Sequence, residues 1–464
     1  MPRITEVLRR IGQRPTVSVL AILSLACGDQ QSGPAAPPPP SPGVTPEIVQ
    51  WLRLNAVSFE TVDVRQDRTD LDELGDIVGD ARIVALGEAT HGTREFFAMK
   101  HRVLDYLVQE KGFTLFAMEA TWPEMNRIDD WVKGRRDRSE AEVLLSGQYF
   151  WTWRTAAVLD LMTWARDYNE GRGAAQAVSV LGFDMQFPGM AIHNVLAFLG
   201  PIDPAGASLA TANYDCMDAN DSHGLFSGSY RDRTIIYQSA CRSNVDEVFD
   251  HLSTNRGALE AASSAEAFAL ALQSARLVQQ FEDHAAQRVP GARDLYMAEN
   301  TEWLLEQAAP GTKAVLWAHN FHVSDTPGAM GSHLRTSHGS DMVVMGFAFD
   351  RGSFTAVTID QGGSFSGLTS HSVGAAPDDS YEFFLRATGE PQFLLDMRGV
   401  ELGTSATSWL AGPRRFRSIG CCYAPSDPSR HFRSERLPGQ FDVVIFMERS
   451  NPTVILPFVP PDEF

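Results

Sequence analysis

The stretch Val84-Ala85-Leu86-Gly87-Glu88-Ala89-Thr90-His91-Gly92 sets out the organisation of the chain in miniature. With Arg82 and Ile83 before it, it opens as a short apolar run. It then stops at a glycine and presents a carboxylate and an imidazole three residues apart. A continuous apolar run of this length, ended by a turn residue, reads as a strand buried on both faces, the form strands take in parallel sheets. Downstream, Arg94 to Gln109 sets Phe97, His101, Leu104 and Val108 at helical spacing. Strand, polar loop, helix is the repeating unit of an α/β fold.

The same rhythm extends outward from this stretch. Strands are expected at Phe113 to Met118, Ala177 to Phe183, Ala314 to Ala318, Met342 to Phe349, Thr355 to Ile359 and Phe441 to Met447, with a helix over Pro123 to Val132. Thr45-Pro46-Glu47 reads as a helix start, followed by Trp51, Leu52, Leu54 and Val57 as its buried side. The span from about Pro204 to Glu306 breaks the rhythm with a long helical pattern from Ala258 to Gln287. The fold class is therefore α/β: a mainly parallel sheet flanked by helices, with an inserted helical cap at about 204–306. No fixed-period repeat is present.

Before residue 45 the composition changes. Arg3, Arg9, Arg10 and Arg14 precede an apolar run from Thr16 to Ala26 that is too short to span a bilayer and has the shape of a signal-peptide core. It ends on Leu23-Ser24-Leu25-Ala26-Cys27, which resembles a bacterial lipoprotein cleavage box, with Ser24 where an aliphatic residue is usual. Residues 1–27 thus read as a signal peptide of lipoprotein type with Cys27 as the lipidated residue. Residues 28–44, with the run Pro37 to Pro40, read as a disordered tether, and 45–464 as the folded body. The protein is expected to be exported, either lipid-anchored at the cell envelope or periplasmic or extracellular. Export allows disulfides among Cys216, Cys241, Cys421 and Cys422. Cys421 and Cys422 are adjacent, below the usual disulfide separation, so Cys216 to Cys241 is the expected bridge. A formal net charge of -19 argues against a nucleic-acid backbone as partner. Nothing in the sequence specifies an oligomeric state.

Ligands of open α/β sheets bind at the carboxyl ends of the strands. Here the strand ending at Leu86 is followed by Glu88 and His91, that ending at Met118 by Glu119, and that ending at Phe183 by Asp184. The strand ending at Ala318 is followed by His319 and His322. Singly, a carboxylate at such a place can cap a helix and a histidine can sit hydrogen-bonded in a core. Six proton-moving or metal-binding groups on one edge are a different matter, because charged groups are costly to bury unless paired.

The ordered set Gly87-Glu88-Ala89-Thr90-His91-Gly92, Glu95-Phe96-Phe97, Phe116-Ala117-Met118-Glu119, Leu181-Gly182-Phe183-Asp184, Arg293-Asp294-Leu295-Tyr296-Met297-Ala298, Ala318-His319-Asn320-Phe321-His322 and Met330-Gly331 resembles the erythromycin esterase family. The resemblance runs from about Ile77 to the C-terminus. It implies a hydrolase acting on a carboxylic ester or lactone, with macrolide antibiotics as the implied substrate and resistance as the implied role. In that reading His91 is the general base that activates water, and Glu88, Glu119 and His319 are the other catalytic positions. The basic residue nine positions after the histidine, arginine in some members, is here Lys100 beside His101. Substrate-binding positions are then Lys100, His101, Asp184, His322, Arg293 and Asp294.

The resemblance implies no cofactor and a metal-independent reaction. The same Glu/His inventory is also compatible with a divalent metal site, and a surface-tethered, non-catalytic ligand-binding protein is a third reading. No G-x-S-x-G segment supplies a nucleophilic serine, and Ser324 and Ser332 read as structural. Trp122, Trp131, Tyr149, Phe150, Trp151 and Trp153 can either line an apolar pocket or fill the core between helices.

Overall fold

A computed structural model describes residues 43–146, 148, 150–219, 241–286 and 288–457. The expected signal peptide, Cys27, most of the tether and Tyr149 lie outside the described residues. Among the described residues twelve strands are formed: β1 (Ala56–Ser58), β2 (Ile83–Leu86), β3 (Leu115–Thr121), β4 (Ser179–Asp184), β5 (Ala314–Trp317), β6 (Met342–Ile359), β7 (Phe365–Val373), β8 (Gln392–Asp396), β9 (Arg414–Arg417), β10 (Cys422–Tyr423), β11 (Phe432–Glu435) and β12 (Val443–Ser450). The large sheet runs in the order β1-β8-β12-β6-β2-β5-β3-β4, with β7 and β10 on the far end of β6, while β9 and β11 pair separately. From β12 to β4 every pairing is parallel. At the other edge β1, β8 and β12 pair antiparallel.

Residue alternation divides the sheet between two cores. Ile83 and Ala85 of β2 face a layer of helices drawn largely from residues 189–307, whereas Val84 and Leu86 face the helices Arg94–Lys111, Trp122–Val132 and Ala156–Asn169. The helical segment between β4 and β5 thus forms one of the two layers packed on the sheet. Within it Cys216 and Cys241 are joined by a disulfide with Cα atoms 5.8 Å apart.

Several expectations are corrected in detail. Met342 to Phe349 and Thr355 to Ile359 are one strand, β6, which pairs with β12 along its first half and with β7 along its second. Gly352 takes a positive φ of 133° at the changeover, which lets the strand pass Ser450 closely. The helical pattern over Ala258 to Gln287 is split into Arg256–Ala262 and Ala265–Ala285, because Ser264 caps the second helix by accepting from the Ala267 amide. The first helix, Pro46–Asn55, starts at the Thr45 cap and buries Ile48 and Leu52, but Leu54 is exposed and Val57 belongs to β1. Trp122, Trp131, Trp151 and Trp153 are all buried, packed as core. Among the described residues no helix is long and apolar enough to cross a membrane.

Candidate active site at the carboxyl edge of the sheet

The strand order places β2, β5, β3 and β4 side by side, and the site residues follow in the same order. Glu88 and His91 come after β2, His319 after β5, Glu119 near the end of β3, and Asp184 at the end of β4. Adjacent parallel strands lie about 4.8 Å apart, so the row is built by the sheet itself. The helices that follow β2 and β3 pack on one face, and those that follow β5 and β4 on the other. Loops that leave neighbouring strands in opposite directions open a crevice between them.

Two close approaches explain the glycines of the opening motif. A Cβ on Gly87 would stand 2.2 Å from Asn320 Oδ1, and one on Gly92 1.9 Å from the Thr355 carbonyl oxygen. Asn320 in turn accepts from the Phe347 amide and donates to its carbonyl, at 2.9 and 2.8 Å, tying the loop after β5 to β6. The backbone between them is therefore held on both sides.

Glu88 is wholly buried and accepts three hydrogen bonds: from His91 Nδ1 at 2.5 Å, Lys100 Nζ at 2.5 Å and Trp317 Nε1 at 2.7 Å. The carboxylate assigns the His91 proton to Nδ1 and leaves Nε2 as the acceptor nitrogen. Lys100 lies 4.3 Å from the centre of the Trp317 ring, so the indole meets both members of the ion pair. Burial pulls the Lys100 ammonium down to about 8, against the opposing pull of Glu88.

Glu119 occupies a bulge in β3, where the register against β4 slips by one residue between Met118 and Thr121. A bulge re-aims a side chain out of strict alternation. Its Oε1 accepts from Arg293 Nη2 at 2.6 Å and lies 3.5 Å from His322 Nε2, and its Oε2 accepts from the His319 amide at 2.9 Å. Although burial acts the other way, the charges of His322, Arg293 and His91 hold Glu119 far below the usual carboxylate range. Arg293 Nη2 also donates to Asp184 Oδ2 at 2.8 Å, so one guanidinium links the ends of β3 and β4.

His319 caps the short helix Asn320–Val323, with Nδ1 accepting from the Phe321 amide at 3.2 Å. That bond places its proton on Nε2, which is buried without a partner among the described residues. Burial, reinforced by the neighbouring His91 and His322, pushes its pKa well below the ordinary histidine value, so the ring is a neutral N–H donor.

Solvent access separates the groups that can meet a substrate from those that support them. The side chains of His91, His322, Arg293 and Glu119 keep 12, 14, 11 and 6% of their surface, while Glu88, Lys100 and Asp184 keep none. Lys100 and Asp184 therefore act beneath the surface of the site and do not reach a substrate directly. Asp294 fixes His322 and the Met330 amide. His101 is turned out of the cluster: about 100° further round its helix than Lys100, it meets the Trp164 ring edge-on at 5.3 Å. Burial pulls its pKa down to about 4, so it is an uncharged core histidine. Trp317 is the member that sequence reasoning missed; the available signal was its place two residues before His319, on the strand face towards Lys100.

Among the described residues no three His, Cys, Asp or Glu side chains are grouped as ligands for a metal ion. A shallow cleft of about 380 Å³ opens at the opposite, amino-terminal edge of the sheet, beside Arg335, Met342, Arg398 and Asp442. Its cations are already spent on Asp442 and Asp396 at 2.6 Å, and the acid–base groups are not there.

An open, mostly parallel α/β sheet with carboxylates and imidazoles lined along its carboxyl edge defines the class: an α/β protein equipped for proton transfer. Comparison with known proteins narrows it. A family profile described as erythromycin esterase matches residues 108–450. Erythromycin esterase type II of Escherichia coli is 23% identical over 359 residues, covering 66% of this chain and 78% of that protein. The putative hydrolase YbfO of Bacillus subtilis (strain 168) is 22% identical over 430 residues, covering 88% and 92%. Among solved structures, an erythromycin esterase mutant in its open conformation superposes with a TM-score of 0.65 at 18% identity, covering 83% of this chain and 95% of that one. A Bacillus cereus protein does so with a TM-score of 0.74 at 25% identity, covering 89% and 100%. The chain belongs to the erythromycin esterase family, and membership supports a hydrolase of that family.

Proposed function

We propose that the protein hydrolyses a carboxylic ester or lactone by general-base activation of water, with His91 as the base. The observation that carries this reading is the Glu88 Oε1 to His91 Nδ1 contact of 2.5 Å, which leaves Nε2 as a proton acceptor on a partly exposed ring. Water held at Nε2 gives up a proton to it, and its oxygen attacks the carbonyl carbon. Glu88 stabilises the imidazolium that forms, and Lys100 and Trp317 keep Glu88 in place. The neutral His319 Nε2–H is the donor available to the carbonyl oxygen as negative charge develops there. Glu119, tied to Arg293 and to the His319 amide, positions this donor.

The reading extends to a metal-independent reaction on a small-molecule ester, with macrolide lactones as the first substrates to try and macrolide inactivation as the role. Export with Cys27 lipidated belongs to the same proposal on sequence grounds.

The test is a mass-spectrometric screen of macrolides and simple esters for the gain of one water, run with the parent protein and His91→Ala. Hydrolysis by the parent and its collapse in the variant are expected. Equal turnover by both overturns the assignment of the base. Loss of activity with a chelator, restored by a divalent metal, overturns the metal-free mechanism. Opening of simple esters but of no macrolide removes the macrolide reading alone.

A further inference from the structure

Across His319 from the Glu88–His91 pair, a second carboxylate–imidazole pair is assembled. Asp294 Oδ1 meets His322 Nδ1 at 2.7 Å and also accepts the Met330 amide at 3.0 Å, so the carboxylate is itself fixed. The His322 ring stands 6.3 Å from that of His319, which stands 5.4 Å from that of His91. His91 and His322 are alike in three respects: each is oriented through Nδ1 by a carboxylate, each keeps a similar small exposure, and each has Nε2 on the side of the ring away from that carboxylate.

We propose that His322 is the acid of the hydrolytic cycle, giving its Nε2 proton to the departing alkoxide, with Asp294 as its positioning residue. This rests on the assignment of His91 as base. Binding alone does not require a second oriented imidazole, but expulsion of an alkyl alkoxide does require a proton, because the alkoxide is far more basic than an imidazole. The surroundings suit the role. Against burial and the nearby Arg293 charge, both of which favour a neutral ring, the Asp294 and Glu119 carboxylates raise the His322 pKa. In the neutral ring Nε2 accepts from Arg293 Nη1 at 3.0 Å. Protonation ends that bond, and Nε2 then carries a proton for which Glu119 Oε1, 3.5 Å away, or a substrate oxygen placed beside it, is the acceptor.

The proton balance closes. Water gives one proton to His91 Nε2 and its oxygen forms the new bond to the acyl carbon. The acyl carbon–oxygen bond to the alcohol breaks with its electron pair on the leaving oxygen, which takes the His322 proton. His91 then releases its proton to solvent and His322 takes one up.

The experiment is a leaving-group series: acetate esters of nitrophenol, phenol, trifluoroethanol and ethanol, assayed as kcat/KM with parent, His322→Gln and Asp294→Asn. His322→Gln is expected to lose on the order of 10²–10³-fold on the ethyl ester and less than about tenfold on the nitrophenyl ester, whose anion leaves unaided. Asp294→Asn follows the same slope with smaller losses, and it carries the test if His322→Gln does not fold. Losses that run parallel across all four leaving groups overturn the proposal and leave the His91 reading standing. Absence of hydrolysis by the parent across both this series and the macrolide screen overturns both.

Discussion

The two imidazole pairs of the site are built in opposite ways. Glu88 and His91 come from a single loop, three residues apart, and their support is one helix lysine and one strand indole. The His322 half is gathered from four places: Glu119 from β3, Asp184 from β4, Arg293 and Asp294 from the helix Ala292–Gln307, and His322 from the short helix Asn320–Val323 after β5. One half is a local motif resting on a neutralised carboxylate. The other is a long-range ion network centred on a guanidinium with two carboxylates. Damage to the first should therefore fall on chemistry, and damage to the second on folding as well.

The largest effect tests the first half. His91→Ala removes the base while leaving Glu88 paired with Lys100, and should lower kcat/KM by roughly 10²–10⁴-fold. Little change in the denaturant midpoint is expected; a large drop there would erase the contrast between the halves. Arg293→Met should do the reverse. It strands the Asp184 and Glu119 carboxylates without their shared counter-charge, and removing one partner of a buried ion pair costs about 3–5 kcal/mol. Urea unfolding measures it, and adding Asp184→Asn should recover part of the loss. Equal stability of Arg293→Met and parent would mean that the network is solvated and that the second half is no more interdependent than the first.

Lys100 sharpens the comparison through pH. Its folded pKa of about 8 lies below the ordinary 10.5, so between these values the folded chain has released a proton that the unfolded chain still holds. This lysine therefore makes stability rise with pH across that window. Activity should move the other way, declining above about pH 8 as Glu88 loses its cationic partner. Lys100→Arg keeps its charge to higher pH and should carry the alkaline decline upward with it. A decline that stays in place would assign it to another group.

The smallest effect concerns a carboxyl at the same edge that belongs to neither half. Glu124 is buried in the first turn of Trp122–Val132, with Oε2 unpartnered among the described residues, and burial pushes its pKa up to about 8, helped by Asp184 against the pull of Arg127. Its folded pKa is above its unfolded one, so its contribution to stability is full below about 4.5 and is lost as pH rises to about 8. Glu124→Gln should match the parent near pH 4.5 and exceed it by about 1–3 kcal/mol at pH 9. Melting curves at the two pH values decide it, and a difference that does not depend on pH would refute the buried-acid account.

What could be read in advance follows the range of each interaction. The strand-to-loop change at Leu86-Gly87-Glu88 and the i,i+3 pairing of Glu88 with His91 are local, and both were legible. Glu119, Asp184 and His319 were legible as residues at strand ends, since a parallel sheet puts every such end on one edge. His101 was misplaced because one helical step separates it from Lys100, and only packing shows which of two neighbours faces the sheet. The antiparallel edge of β1 and β8 was missed because short strands leave weak alternation. The continuity of β6 through Gly352 was missed because the polar run Asp350-Arg351-Gly352-Ser353 reads as a turn between two strands.

By itself the sequence determined the α/β class, the edge along which the carboxylates and imidazoles gather and the local Glu88–His91 pair, because these depend on periodicity and on contacts within a turn. Tertiary structure decided the rest. The order β2-β5-β3-β4 sets which strand ends are neighbours, and through them it brings Trp317 to Glu88, Arg293 to Asp184 and Glu119, and Asp294 to His322. Those partners are far apart along the chain, and no local pattern encodes a contact that exists only once strands of different origin lie side by side.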